Sequence, residues 1–294
     1  AASIPSASPE IRRELATFFG DYLAEVAEQL ALSSVHCNFC PTQLVESWSG
    51  PWLHRIGLQF HWTNPGYSSF EDFLGQLNAR KRKAVKKERE QAHSHGLVFE
   101  QLSGENLSTQ HWDAFFRFYR DTTDRKWGDA HLNREFFEAL HGRLKQQVVL
   151  MLARDGESFV AGALNLCSSL EWRQKGQGVL YGRNWGCLGH YPCLHFELCY
   201  YQAIEYAIAH RFSRAEAGAQ GMHKVARGYL PVETHSLHYL TEPTAQAGSL
   251  SRGQPSFVNL VRRFLSEETS QLRQAALEIR EGGPFRREAI PPGL

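Results

Sequence analysis

Charge of one sign is scarce in this chain. Its 294 residues carry 32 basic and 31 acidic side chains, a formal net charge of +1. No overall field therefore draws it to nucleic acid or membrane, and sequence-specific DNA binding is not expected. Long apolar runs are missing too: none approaches the ~18 residues that a membrane span needs. The opening AASIPSASPE has neither a basic nor an apolar signal region, so a cytoplasmic location is expected. Cysteine is sparse: Cys37, Cys40, Cys167, Cys187, Cys193 and Cys199. Cys37 and Cys40 have no second pair at zinc spacing, so buried free thiols are expected and no metal site. No Ser-centred elbow or paired nucleophile is present, which excludes the familiar routes through a covalent enzyme intermediate.

What is present centres on Val179 to Tyr239. Val179–Trp185 is aromatic and β-branched enough for a strand, and 186–192 is turn material. A helical pattern runs from Leu194 to about His210, with Phe196, Tyr200, Ala203, Ile204, Ala207 and Ile208 on one side and His195, Gln202, Glu205 and Tyr206 on the other. Glu197 interrupts the apolar arc. A carboxylate there needs compensation from an Arg, a Tyr hydroxyl or the helix N-terminus, and Arg183 and Tyr181 on the preceding strand are candidate partners. A buried ion pair and a catalytic carboxylate are both compatible with that position. The spacing then predicts a strand over Arg214–Gln220, with Ala215, Ala217 and Ala219 on its small face. Glu216, Gln220, His223, Lys224 and Arg227 gather at its end and in the turn beyond, where sheet-and-helix folds commonly bind ligands.

Elsewhere, helices are expected over Pro9–Leu32, Thr109–Arg125, Arg134–Leu144 and Pro255–Glu281. Strands are expected over Val35–Phe39, Leu53–Trp62, Val98–Leu102, Val148–Arg154 and Phe159–Cys167, the last two joined by a hairpin at Asp155-Gly156-Glu157. A helix capped by Ser68 or Ser69 ends in the densest basic run, Arg80 to Arg89. Such runs are usually solvated faces; the other use is contact with a phosphate or an anionic lipid surface. Arg125-Lys126-Trp127-Gly128, just past a helix end, suits an anion or acceptor clamp, or a cap on the last carbonyls.

These blocks carry a resemblance. YGRNWGCLGHYPCLHFELCYYQAIEYAI followed by EAGAQGMHKVARGYLPV resembles the FemAB-like branch of the GNAT acyltransferase superfamily, peptidoglycan biosynthesis or recognition proteins. FEDFLGQLNARKRKAVKKERE, FYRDTTDRKWG and Phe60 to Trp62 also match. Lys224 to Tyr229 loosely echoes the Tyr-x-x-x-Gly-Phe-like element of GNAT proteins. The resemblance implies an α+β fold: a GNAT-like mixed, mostly antiparallel sheet flanked by helices. Residues 1–52 would be a truncated first GNAT-like lobe, 53–242 the FemAB-like domain, and 243–294 a C-terminal helix and tail. It also implies acyl or aminoacyl transfer to an amine, with acyl-CoA or aminoacyl-tRNA as donor. The usual coenzyme A loop is not visible, and the coiled-coil insertion of aminoacyl-tRNA transferases is absent.

Acyl transfer needs a base for the amine and help for the oxyanion. Glu197, Glu216 and His223 are the candidate catalytic residues. Arg125, Lys126, Trp127, Tyr181, Arg183, His195, Gln220, Lys224, Arg227 and Tyr229 are candidates for holding donor or acceptor. Three readings follow: amide formation on a cell-envelope precursor, acyl-CoA-dependent acylation of a lipid or small amine, and non-catalytic recognition of peptidoglycan or anionic lipid. The expected location is the cytoplasm, with the inner membrane face as a peripheral site.

Overall fold

The computed structural model describes residues 8–48, 50–126, 128–219, 221–241 and 256–286. The first half contains α1 (Pro9–Gln29), β1 (Ser34–Cys40), α2 (Thr42–Ser47), β2 (Leu53–Thr63), α3 (Phe70–Gln76), α4 (Ala79–His93), β3 (Val98–Ser103), α5 (Thr109–Lys126) and α6 (Arg134–Leu144). The second contains β4 (Val148–Asp155), β5 (Ser158–Cys167), α7 (Leu170–Gln174), β6 (Val179–Cys187), the helix α8 (three segments, Leu194–Phe196, Glu197–Tyr201 and Gln202–Ala209), β7 (Arg214–Glu216), β8 (Leu230–Leu240) and α9 (Phe257–Glu281). The chain packs as two units, Ala1–Leu58 with Val232–Glu281, and Gln59–Pro231 with Gly282–Leu294. Both ends of the expected three-part division thus contribute to the first unit. No described helix is long and apolar enough to cross a membrane.

In the first unit the strand order is β1-β8-β2. Trp48 and Trp52 pack at a ring separation of 4.4 Å against Cys40 and Leu237. Gly20 lets the Trp48 indole lie against α1, where a Cβ would sit 3.0 Å from the ring. Imidazole pairs flank β8 on both sides, His36 Nδ1 to His238 Nδ1 at 2.7 Å and His54 Nε2 to His235 Nδ1 at 3.1 Å. The apolar side of α1 is only partly covered: Ile11, Phe18 and Tyr22 are exposed, Phe18 by 68%.

In the second unit the order is β2-β7-β6-β5-β4-β3. The pairing is antiparallel except between β6 and β7, so the sheet is mixed and mostly antiparallel, as expected. One core cluster packs α8 against the sheet through Leu198, Tyr201, Ile204 and Phe212, and another packs α5 and α6 through Phe115, Phe118 and Phe137. Gly186 allows the closest approach, because a Cβ there would overlap the Phe118 carbonyl.

Three local expectations need correction. The basic run does not continue the helix capped by Ser69. Leu77 turns extended and Asn78 Oδ1 accepts from the Lys81 N–H, starting α4 afresh. β7 stops at Glu216, short of the expected Gln220, since Gly218 (φ 75°) and Gly221 (φ 102°) take left-handed backbone. α8 is not regular: its middle segment, Glu197–Tyr201, is a π-helical turn. A regular helical wheel therefore misplaces the residues before that turn relative to those after it.

Candidate active site at the fork of two strands

β6 and β7 pair over only three residues, ending at Tyr181 opposite Glu216. Beyond that point the chain stays with β2: the Ala217 N–H donates to Phe60 O at 3.1 Å, and the Phe60 N–H donates to Gly218 O at 3.1 Å. β6 instead follows β5, with a bulge where the register shifts between Leu164 and Asn165. The strands thus fork. A cleft of ≈ 120 Å³ lies in the fork, lined by Asn165, Arg183, Asn184, Trp185, His195 and Tyr200 among others. A bulge leaves one residue outside the ladder, here on the strand bordering the cleft. Asn165, 2% exposed, reaches Val149 O and Ala163 O only at 3.5 and 3.4 Å.

A second cleft of ≈ 290 Å³ shares Trp185 and His195 with the first. Arg125, Thr122, Tyr191 and Cys193 also line it. Arg125 is held by Asp121 (2.5 Å) and by Cys187 O (3.3 Å). The Thr122 hydroxyl has no partner among the described residues. Cys193 adopts φ 64° immediately before α8. The common wall is aromatic: the His195 ring meets Trp185 at 5.2 Å and Tyr200 at 5.5 Å.

Behind Tyr200 stands His223, whose Nε2 is 2.9 Å from the Tyr200 hydroxyl. Burial, and then the Arg227 and Lys224 charges, push His223 below the ordinary imidazole range. Burial pushes the Tyr200 phenol well above its ordinary value. At neutral pH the pair is a neutral imidazole against a protonated phenol. The turn carrying His223 is anchored on both sides. Lys224 Nζ donates to Ala217 O (2.5 Å) and Gly218 O (3.2 Å), and burial lowers its pKa. Arg227, 4% exposed, lies over the Phe196 ring at 3.4 Å, donates to His223 O (2.6 Å) and pairs with Glu88 (2.8 Å). Tyr229 is buried edge-on to Tyr200 at 5.5 Å.

Glu197 has partners other than Arg183 and Tyr181. It is 0% exposed, takes two hydrogen bonds from Arg89 (2.9 and 3.1 Å) and one from Gln202 (2.8 Å), and lies 3.4 Å from His93. Arg89 also binds Glu205. Burial opposes the Arg89 charge, but the hydrogen bonds to Glu205 and Glu197 outweigh it and hold its pKa above the ordinary value. Glu197 lines neither cleft. Arg183 is exposed over the Tyr181 ring at 5.3 Å. Glu216 pairs with Arg214 at 2.8 Å and lies 3.9 Å from His61. Trp127 and Gln220 lie outside the described residues, as does the Lys126 side chain.

The structure thus brings His195, Arg183, His223 and Arg125 to the two clefts or their walls, and sets Glu197 and Arg227 in ion pairs beside them. Sequence reasoning missed Tyr200, Trp185, Asn165, Arg89 and Glu88. Tyr200 read as an apolar-face residue and Arg89 as one charge in a basic run. Only the turn at Glu197 and the fork of β6 and β7 reveal their roles. Among the described residues, no three or more metal-ligating side chains cluster.

No curated protein matches the sequence significantly. FemX has a similar fold: TM-score 0.55, 12% identity, 80% of this chain and 79% of that one covered. A conserved protein of unknown function from Bacteroides thetaiotaomicron gives 0.53, 10% identity, and 76% and 74% coverage. The C-terminal domain of a putative lysylphosphatidylglycerol synthetase from Agrobacterium fabrum gives 0.53, 8% identity, and 75% and 73% coverage. These likenesses show a shared fold, and the mixed, mostly antiparallel sheet flanked by helices is the class expected. The sequence profile of the FemAB-like family, described as peptidoglycan biosynthesis/recognition, matches residues 6–287. Spanning nearly the whole sequence, that match shows that this chain belongs to the FemAB-like family.

Proposed function

We propose that the chain forms an amide: the amine of a cell-envelope acceptor, a peptidoglycan precursor, attacks the carbonyl of an activated acyl or aminoacyl donor. The observation that carries this is the pair of clefts sharing the Trp185–His195 wall, which lets two substrates meet across one boundary. In the reaction the amine nitrogen forms a bond to the carbonyl carbon, and the bond to the donor's leaving oxygen or sulfur breaks. The amine's proton goes to an imidazole, His195 directly or His223 through Tyr200. The imidazole that took the proton returns it to the leaving group, His223 again through the Tyr200 hydroxyl, so that each side chain ends as it began. The polar groups of Asn165 and the bulged strand face the developing oxyanion. Arg125 is the cation for the donor's phosphate or the acceptor's carboxylate.

The donor is acyl-CoA or aminoacyl-tRNA, and the work is done at the cytoplasmic face. α4 supports contact with a phosphate or an anionic surface there. Its Arg89 turns inward, while Arg80, Lys83 and Lys87 stay exposed along one side. Non-catalytic recognition of peptidoglycan is the second reading, favoured by the locking of Glu197 in an ion pair. Mass spectrometry of ligands retained by the full-length protein, followed by transfer assays with the donor found, decides between them. Retention of a peptidoglycan fragment with no transfer from acyl-CoA or an aminoacyl ester, and with wild-type binding by Tyr200→Phe, rules out the catalytic reading.

A further inference from the structure

The Tyr200–His223 hydrogen bond joins the π-helical turn of α8 to the short turn Met222–Arg227, and Tyr201 and Arg227 meet beside it. A third element grips both. Glu88, on α4, accepts a hydrogen bond from the Tyr201 hydroxyl, and Tyr201 is the chain neighbour of Tyr200. The same carboxylate oxygen accepts from Arg227 Nη2 at 2.8 Å, and Arg227 Nη1 in turn donates to the His223 carbonyl at 2.6 Å. The Arg227 guanidinium has little freedom to drift, since it lies 3.4 Å over Phe196 and is almost fully buried.

We propose that Glu88 is a positioning residue, a single carboxylate that sets the distance between Tyr200 and His223 by holding the backbone beneath each. It lines neither cleft; its reach toward them runs through Tyr201 and Arg227, and so to Tyr200, His223 and the Phe196 ring. This rests on the reading of Tyr200 and His223 as the proton pair, but its geometric content does not. His223 is faced by Lys224 and Arg227 from its own turn and by His195 and Tyr200 from α8. Among these groups Glu88 reaches His223 only by way of Arg227.

The test is ¹⁵N NMR of the imidazoles in the full-length chain, with the His223 signal assigned by its loss in His223→Gln. Tyr200→Phe supplies the Nε2 position for a lost hydrogen bond. In Glu88→Ala the His223 Nε2 signal is expected to move most of the way to that position, and in Tyr201→Phe part of the way. Where turnover is measurable, kcat is expected to fall about tenfold or more with KM unchanged. A His223 signal at its wild-type position in Glu88→Ala, in a folded chain, overturns the proposal. If Glu88→Ala does not fold, Tyr201→Phe decides the matter by the same signal. Because the NMR result needs no substrate, failure of the proposed reaction and failure of the positioning role are read separately.

Discussion

Tyr200 and His223 share one hydrogen bond, so they should fail as a unit. Tyr200→Phe and His223→Ala are each expected to lower turnover by roughly 10². The double variant should be little worse than either single one, because a broken relay cannot be broken twice. Steady-state rates on the three variants check this, and fully multiplicative losses would count against a shared path. Neutral His223 is the form that accepts a proton. Burial, Arg227 and Lys224 lower its pKa, so the acid limb of the rate profile should lie below the ordinary imidazole value of about 6.5. For Glu197 the prediction is one of stability. Glu197→Ala leaves Arg89 in a largely buried site with Glu205 as its remaining carboxylate, and should cost about 3 kcal/mol in urea unfolding. An unchanged midpoint and slope would deny the ion pair that role.

At the scale of elements, the contact between α5 and β6 is the least forgiving. A side chain at Gly186 meets backbone, which cannot rotate away. Gly186→Ala should therefore cost about 3 kcal/mol, read as a lower Tm in calorimetry. Elements with local signals were legible in the sequence: α6 runs over Arg134–Leu144 as expected, and the hairpin of β4 and β5 turns at Gly156. Periodicity and turn residues act over a few positions, and so does the eye that reads them. The fork was only half legible. Alternating alanines marked β7, but its early exit from β6 depends on Lys224 taking the carbonyls of Ala217 and Gly218. Arg89 and Glu197 are 108 positions apart, and no local pattern announces that pairing. The turn at Glu197 was hidden for another reason: one extra residue per turn leaves composition unchanged while shifting every wheel position before it.

Over the whole molecule, acid should be the weak side. His54, His61, His111, His210, His223 and His238 are all held below the ordinary imidazole value, burial being the largest cause in each. In the unfolded chain they protonate near pH 6.5, so on acidification the unfolded state binds protons first. Stability should be flat above that pH and fall as pH drops through it, until the folded-state imidazoles also charge. Tm measured from pH 8 to pH 5 checks the sign, and a Tm rising on acidification would contradict it. The assembly of the first unit from both chain ends has a consequence during synthesis. Among the described strands β1 pairs only with β8, and β8 leaves the ribosome almost two hundred residues later. In that interval the nascent amino-terminal segment has nothing to zip against, and Trp48 and Trp52 lack the Leu237 side of their core. Chaperone demand should therefore be greatest for a polypeptide stalled or truncated before Leu230, although its central unit is already translated.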